Sequence, residues 1–290
     1  MWYIRYTIKT EGLDIVEKSN KSRILDYDLN LDVQKDIKAF SLYQVIEGLE
    51  DLNKIEEQAS EGDPVYQCLC GYMHLTGNSV EQSERYAAMH FRLAADQGNV
   101  EAQYNLGYMY YYGKGVEQDY VEANRLFRLA AFKGNTKAQY RLAHDYKYGI
   151  GIAQNYKEAF NYFKLASDQG YCKAQCSLGM LYEHGIGTEQ NYEEAIKLYS
   201  EAVQKNYDQA EVNLAHMYEV GDGVKVDKAK AKELYKMAAK QGNIIAQCNL
   251  VYYQKYDLGL KTDEEESNTW HEKASSNDTS SIRDKFEEMK

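Results

Sequence analysis

The chain has 290 residues, of which 44% are hydrophobic, and its formal net charge is −11 at pH 7. This charge argues against non-specific binding to nucleic acid or to an anionic membrane surface, because both depend on clustered cationic side chains. It favours a basic or neutral partner, although an acidic surface that only keeps the protein soluble explains it as well. The single proline, Pro64, predicts an almost wholly helical protein.

The two ends of the chain differ in pattern from its middle. Residues 2–8 and 25–33 alternate apolar and polar side chains, which is typical of strands. We therefore predict a strand-containing segment over residues 1–40, which either caps the helices or pairs a strand edge with a partner or a second copy, forming a dimer. Residues 41–61 are predicted to be a leading helical segment, and residues 279–290 an amphipathic closing helix.

From residue 62 onward a pattern of 36 residues recurs, starting near Gly62, Gly98, Gly134, Gly170, Asn206 and Gly242. Positions are numbered by the residues that follow the first residue of a repeat, so Ala102 is position 4 of the second repeat. In the last five repeats position 4 is Ala and position 8 is Leu, and this spacing places both on one helical stripe. A fixed period of this length predicts stacked repeats.

Each repeat is predicted to contain two antiparallel helices. Glycines at positions 15 and 17, such as Gly113 and Gly115, end the first helix and allow a turn. An Asp or Asn such as Asp119 then caps the second helix, whose buried stripe includes Ala123 and Phe127. Neither helix can bury its stripe alone. The predicted fold is therefore all-α, an α/α solenoid of about six helix–turn–helix repeats with a small strand-containing N-terminal cap.

The pattern A-x-x-x-L-G-x-x-Y-x-x-G-x-G-V-x-x-D, followed by A-x-x-x-(Y/F)-x-x-A-A-x-x-G, resembles the Sel1-like repeat family over residues 62–278. This family is related to the tetratricopeptide repeat. The first repeat departs at His74 and Ser79, and the last at Gln254 and Asp257, as terminal repeats commonly do. The resemblance implies a right-handed superhelix whose first helices line a concave face.

The first helices carry many aromatic side chains that the repeat pattern does not require. By the resemblance, positions 6, 10, 13 and 14 point to the concave face. The candidate partner-binding residues at these positions are Tyr72, Tyr104, Tyr108, Tyr111, Tyr112, Tyr140, His144, Tyr148, Met180, His184, His216 and Tyr252. Aromatic and Met side chains suit binding surfaces, so we predict a groove for a protein or peptide partner. The alternative is that tyrosine, with 28 residues, is simply common, and that its rings pack between helices.

No catalytic residue, metal site or cofactor is predicted. The six histidines are scattered, and no ligand motif accompanies them. His144, His184 and His216 lie on successive first helices and could approach one another, which leaves a metal site as a minor alternative. The recurring Gly-x-Gly lacks the lysine of a phosphate-binding loop, and its place in the repeat identifies it as turn chemistry.

The cysteines indicate a reducing compartment. Their number is odd, and they are Cys68, Cys70, Cys172, Cys176 and Cys248. Some secreted members of the resembling family link the helices of each repeat with a disulfide, and that pattern is missing here. No apolar run reaches membrane-spanning length and no signal-peptide core is present, so we expect a cytoplasmic protein.

The resemblance implies a non-enzymatic protein-interaction module. A narrower alternative, by analogy within the family, is a bacterial immunity protein that neutralises a secreted effector toxin. A third alternative is a β-lactam-binding or β-lactam-hydrolysing enzyme, as described for cysteine-rich members. The chain lacks both their paired cysteines and a Ser-x-x-Lys motif, which argues against that activity.

Overall fold

The computed structural model describes residues 52–255, except for the side chains of Tyr252, Gln254 and Lys255. The strands predicted in residues 1–40, the closing helix predicted in residues 279–290 and most of the sixth repeat lie outside the described residues. The described part consists of twelve α-helices and contains no strand. They are α1 Leu52–Ser60, α2 Pro64–Thr76, α3 Glu84–Asp96, α4 Val100–Tyr112, α5 Tyr120–Phe132, α6 Thr136–Tyr148, α7 Tyr156–Asp168, α8 Cys172–His184, α9 Tyr192–Val203, α10 Asp208–Val220, α11 Lys228–Lys240 and α12 Ile244–Lys255.

The chain forms two compact bodies, an N-terminal body of residues 1–117 and a C-terminal body of residues 118–290. The N-terminal body contains α1–α4 and the C-terminal body contains α5–α12. The first helices of the repeats, here called A helices, are the even-numbered helices α2 to α12, and the second helices, called B helices, are α3 to α11. Within each body every helix packs against the next one along the chain. The all-α repeat architecture is thereby confirmed.

The predicted helix ends are confirmed in both bodies. Each A helix from α2 to α10 ends at a glycine in the left-handed region, such as Gly113 with φ 67° and Gly149 with φ 70°. The B helices α5 and α11 begin after Asp119 and Asp227, whose carboxylates accept hydrogen bonds from backbone N–H groups of the first turn. These helix ends were therefore predictable from the sequence, whereas α8 and α10 begin after Tyr171 and Tyr207, whose side chains make no capping bond.

The second glycine of the turn has a further role beyond ending the helix. A Cβ atom on Gly151 would lie 2.5 Å from the Cβ of Tyr120, at the start of the B helix of the preceding repeat. A Cβ on Gly187 would likewise overlap the backbone carbonyl of Tyr156. The glycine at position 17 thus allows two successive repeats to approach closely, as well as permitting a positive φ.

In four of the repeats a buried glutamine at position 5 hydrogen-bonds to the helix that precedes the repeat, which the sequence analysis did not predict. The Nε2 of Gln67 donates to the carbonyl of Ala59 at 3.2 Å, and the Nε2 of Gln139 donates to the carbonyl of Ala131 at 3.3 Å. Gln103 and Gln247 make the same bond to the carbonyl eight residues earlier. Each bond satisfies a carbonyl near the end of a helix, which has no partner within that helix.

Candidate functional site

Four of the candidate tyrosines lie in the core. Tyr104 and Tyr111 are 7% exposed, and Tyr108 and Tyr140 are 5% exposed. The expectation that these four rings line an open face is therefore wrong. The glycine at position 9 leaves room for the ring at position 29 instead, since a Cβ atom on Gly179 would lie 2.8 Å from the Tyr199 ring.

Tyr140 illustrates the packing. Its ring meets Phe163 of the same repeat edge-on at a centroid distance of 5.7 Å, and Tyr171 of the next repeat at 5.1 Å. Both contacts are within the preferred range for aromatic pairs. Position 6 thus faces the next repeat, and its ring packs between adjacent repeats. For Tyr140 this agrees with the alternative that tyrosine rings pack between helices.

In the N-terminal body, Tyr72 and Tyr112 are the candidates that retain some exposure. The Tyr72 ring packs edge-on against Phe91 at 5.2 Å, and its hydroxyl accepts a hydrogen bond from the Nδ2 of Asn105. Burial raises the pKa of the Tyr72 hydroxyl well above its usual value, and the nearby Cys68 adds to this effect. Tyr112 lies against the Tyr108 ring at 4.5 Å. Tyr72 is thus mainly a packing residue.

In the C-terminal body, Tyr148, Met180 and His216 are partly exposed and His184 is exposed. The Lys147 ammonium lies over the Tyr148 ring, 5.0 Å from its centroid. The Nδ1 of His184 lies 3.1 Å from the carbonyl oxygen of Met180, which holds the ring near its own helix. These side chains come from positions 10 and 14 of three successive A helices, and they form the part of the predicted surface that remains accessible.

His144 belongs beneath this surface. Its ring is parallel to Tyr148 at 5.9 Å and edge-on to Phe163 at 5.1 Å. Both of its ring nitrogens are buried, and neither hydrogen-bonds to a residue within 52–255. Burial lowers the pKa of His144 well below its usual value, and the nearby charges of Lys147 and Arg141 lower it further. It is therefore a neutral packing ring.

Two carboxylates on the A helices are positioned by tyrosines of the B helices. The Tyr199 hydroxyl donates to Glu183 Oε2 at 2.6 Å, and the Tyr235 hydroxyl donates to Glu219 Oε2 at 3.0 Å. Burial and the Glu183 charge raise the pKa of Tyr199 well above its usual value, which keeps it a donor. In both pairs the tyrosine is at position 29 of the B helix and the glutamate is at position 13 of the A helix of the same repeat.

A sequence signal for these pairs exists, and the sequence analysis missed it. Position 29 is tyrosine only in the two repeats that have glutamate at position 13. In the first three repeats position 29 is Phe91, Phe127 or Phe163, and position 13 is Leu75, Tyr111 or Lys147. A hydroxyl buried at position 29 needs an acceptor, and the glutamate supplies it.

The cysteines do not have the properties of reactive thiols. All five are free, and burial raises the pKa of Cys70 to about 11 and that of Cys248 to about 11. Because the thiolate is the nucleophile, raised pKa values suppress reactivity. Across residues 52–255, no group of three or more His, Cys, Asp or Glu side chains is arranged to hold a metal ion. No helix in the same part of the chain is long and apolar enough to cross a membrane.

The architecture defines the class of protein. Paired helices that repeat every 36 residues, with glycine turns and small residues at the helix contacts, characterise an α/α solenoid of the tetratricopeptide type. The Sel1 repeat is recognised in six consecutive segments, residues 64–99, 100–135, 136–171, 172–207, 208–243 and 244–278. The chain belongs to the Sel1 repeat family, whose members are modules of protein–protein interaction.

Solved structures of Sel1 repeat proteins resemble this one. A Sel1 repeat protein from Oxalobacter formigenes is 30% identical, with a TM-score of 0.72 over 83% of this chain and 94% of that chain. The protective antigen c5321 of uropathogenic Escherichia coli, which displays an SLR fold, is 29% identical, with a TM-score of 0.70 over 78% of this chain. The match covers 48% of the antigen, so this chain corresponds to about half of that protein's length.

The immunity protein Pa5087 from Pseudomonas aeruginosa is more distant. It is 20% identical, with a TM-score of 0.47 over 67% of this chain and 75% of that chain. A similarity of this size supports no argument about the function of this chain. No curated protein matches the sequence significantly.

Proposed function

We propose that this protein is a non-enzymatic interaction module and that it binds a peptide or protein on the A-helix face of its C-terminal body. This face, called the A face below, consists of the side chains at positions 10, 13 and 14 that retain exposure on α6, α8 and α10. They are Lys147, Tyr148, Met180, Glu183, His184, His216, Glu219 and Val220.

The observation that carries the proposal is the chemistry of these exposed positions. Tyr148, Met180 and His184 offer polarisable contact area, and Val220 is 44% exposed although it is apolar. Glu183 and Glu219 lie one repeat apart, and each accepts a hydrogen bond from a buried tyrosine. A side chain that is already held in place loses less conformational entropy when it binds.

The partner that this surface favours carries both apolar and cationic side chains. The fixed carboxylates of Glu183 and Glu219 would pair with lysine or arginine, and the exposed apolar side chains between them would cover the rest of the contact. The net charge of −11 favours the approach of such a partner. We also propose a reducing, cytoplasmic location, which the five free thiols support.

The experiment selects peptides from a random display library on the full chain and measures their affinity for two matched variants. Met180→Ala removes a partly exposed Met from the A face, whereas Met237→Ala removes one that is 40% exposed on the B helix α11. We expect Met180→Ala to weaken binding about tenfold and Met237→Ala to change it by less than about twofold. Equal effects of the two variants, or no selected peptide at all, would refute the A-face proposal.

A further inference from the structure

Glu211 occupies a buried position that is glutamine in every other repeat. It lies at position 5 of the fifth repeat, and its side chain is 0% exposed. The other five residues at this position are Gln67, Gln103, Gln139, Gln175 and Gln247. Glutamate and glutamine have nearly the same shape, but an ionised carboxylate only accepts hydrogen bonds, whereas an amide also donates them.

The glutamines use both polar atoms of their amide. In the third repeat, Gln139 Nε2 donates to the carbonyl of Ala131 at 3.3 Å, and Gln139 Oε1 accepts from Gln169 Nε2 at 2.6 Å. The first repeat has the same two bonds, at 3.2 Å and 2.8 Å. Among the five glutamines, Gln175 is the exception, because its Nε2 donates to Glu201 Oε2 at 2.8 Å. Position 5 therefore usually needs a donor towards the preceding helix and an acceptor towards position 35.

An ionised Glu211 can meet only one of these two requirements. Gln241, at position 35 of the fifth repeat, donates its Nε2 to Glu211 Oε2 at 2.9 Å and to Oε1 at 3.0 Å. The carbonyl eight residues before Glu211 belongs to Val203, and a carboxylate has no proton to donate to it. A protonated carboxyl group has one donor and one acceptor, so it reproduces both roles of the amide.

The backbone that leads into α10 supports this comparison. The N–H of Asn206 donates to the carbonyl of Val203 at 2.9 Å, just as the N–H of Gly134 donates to the carbonyl of Ala131 at 3.0 Å before α6. The Val203 carbonyl is therefore the counterpart of the one that the glutamine reaches in the third repeat. A carbonyl oxygen has two lone pairs, so it can accept from a side chain as well.

No cation offsets a charge on Glu211. Among residues 52–255, the two buried acidic residues are Asp145 and Glu211, and Asp145 lies 3.2 Å from the guanidinium of Arg141. Glu211 forms no ion pair with any residue in that range. Burial raises the pKa of Glu211 above its usual value, the bond from Gln241 lowers it in part, and the charge of Asp208 raises it further.

The helices packed against α10 supply no counter-charge either. At the end of α9, Glu201 and the Lys205 ammonium are both bonded to the amide of Gln175. At the end of α11, Lys240 is exposed to solvent. Residues 244–254 of α12 include no Asp, Glu, Lys, Arg or His. The uncharged form of Glu211 is therefore the form that suits its surroundings.

We propose that protonated Glu211 closes a pH-sensitive latch between the fourth and fifth repeats. In the latch, the Glu211 hydroxyl donates to the carbonyl of Val203, and the other carboxyl oxygen accepts from Gln241 Nε2. When the pH rises, the proton leaves, the donor is lost, and a buried charge without a cation remains. The two repeats are then held together less strongly.

The direction of the pH dependence follows from linkage. The folded protein keeps the Glu211 proton to a higher pH than the unfolded chain does, because burial raises the pKa of Glu211. The stabilisation is therefore complete below the pKa of a glutamate in the unfolded chain, about 4.3, and is lost as the pH rises through the higher pKa of the folded protein.

The test compares Glu211→Gln with the native protein by urea unfolding of the full chain at several pH values. The amide keeps both hydrogen bonds at any pH, so the variant should be the more stable protein at pH 7.5. Its advantage, expressed as the ratio of the two folding equilibrium constants, should fall about threefold or more between pH 7.5 and pH 5. An advantage that is the same at both pH values, or no advantage at pH 7.5, would overturn the proposal.

Two further variants serve as matched controls. Gln139→Glu places the same acid in the third repeat, so it should destabilise the protein more at pH 7.5 than at pH 5. Glu219→Gln removes a partly exposed carboxylate from the same helix as Glu211, and its ratio should change by less than about twofold over this range. Equal pH dependence of Glu219→Gln and Glu211→Gln, or none for Gln139→Glu, would contradict the latch.

NMR of the side-chain carboxyl carbons observes the proton directly. In the native protein Glu211 should titrate at a higher pH than the exposed Glu193. Titration of the two residues at the same pH would show that Glu211 is ionised like a surface carboxylate and that the latch does not exist. All of these experiments use the chain without a partner, so their outcome leaves the A-face proposal untouched.

Discussion

The third and fifth repeats have helices of the same length but bury charge in different ways. In the third repeat, α6 buries Arg141 and Asp145, which are 3% and 0% exposed and pair at 3.2 Å. In the fifth, α10 has Asn213 and Met217 at the corresponding positions 7 and 11, and its buried carboxyl group is instead that of Glu211 at position 5, which is 0% exposed and accepts hydrogen bonds from Gln241 Nε2. The repeat thus specifies helices and turns, while its interior accepts either an apolar side chain or an ion pair.

The same two repeats differ at position 29. Phe163 in the third repeat packs against His144 and Tyr140 without a polar atom, whereas Tyr235 in the fifth donates its hydroxyl to Glu219. Each aromatic residue therefore suits its partner at position 13, which is Lys147 in one repeat and Glu219 in the other. Exchanging residues between the two repeats breaks this match and measures what each interaction contributes.

The largest effect should come from breaking the buried ion pair of α6. Asp145→Met leaves Arg141 buried without its carboxylate and should lower the free energy of unfolding by about 3–5 kcal/mol. The double variant Arg141→Asn, Asp145→Met, which copies the fifth repeat, should recover most of that loss. Urea unfolding of the single and double variants at neutral pH measures both. A double variant as unstable as the single one would contradict this account.

A smaller effect is expected from exchanging the aromatic residues. Phe163→Tyr buries a hydroxyl in a repeat whose position 13 is Lys147 and not glutamate, and should cost about 1–3 kcal/mol. Tyr235→Phe loses one hydrogen bond to a partly exposed carboxylate and should cost about 1 kcal/mol or less. Denaturant unfolding of both variants tests the order. A greater loss for Tyr235→Phe than for Phe163→Tyr would reverse it.

The smallest effect concerns pH. His144 has a pKa below its usual value in the folded protein, so the unfolded chain binds a proton that the folded protein does not. The contribution of His144 to the free energy of unfolding is therefore complete above the pKa of histidine in the unfolded chain, which is about 6.5. It is lost as the pH falls below that value. Relative to the native protein, His144→Phe should gain about 1 kcal/mol between pH 7.5 and pH 5.5.

Measuring this variant against the native protein isolates the histidine. Burial raises the pKa of Asp145 to about 6, which stabilises the folded state as the pH falls and so opposes the effect of His144. That contribution is present in both proteins and cancels in the difference. A difference that does not change with pH would show that His144 keeps its proton affinity on folding.

The candidate surface was predictable only in part. The period and the glycine turns placed positions 10 and 14 on one side of the A helices, and Tyr148, Met180, His184 and His216 are accessible there. The burial of Tyr104, Tyr108, Tyr111 and Tyr140 was not predictable, because a helical position does not show whether the neighbouring layer covers it.

The sequence alone determined the period of 36 residues, the ends of the helices and the family, because these depend on local backbone preferences and on one recurring stripe of small and apolar residues. Tertiary structure alone decided which aromatic rings are buried, where Gln175 donates its hydrogen bond, and which carboxylates the tyrosine hydroxyls hold. Those outcomes depend on the packing of one helix against its neighbours, and the distances involved are not encoded in the spacing of residues along the chain.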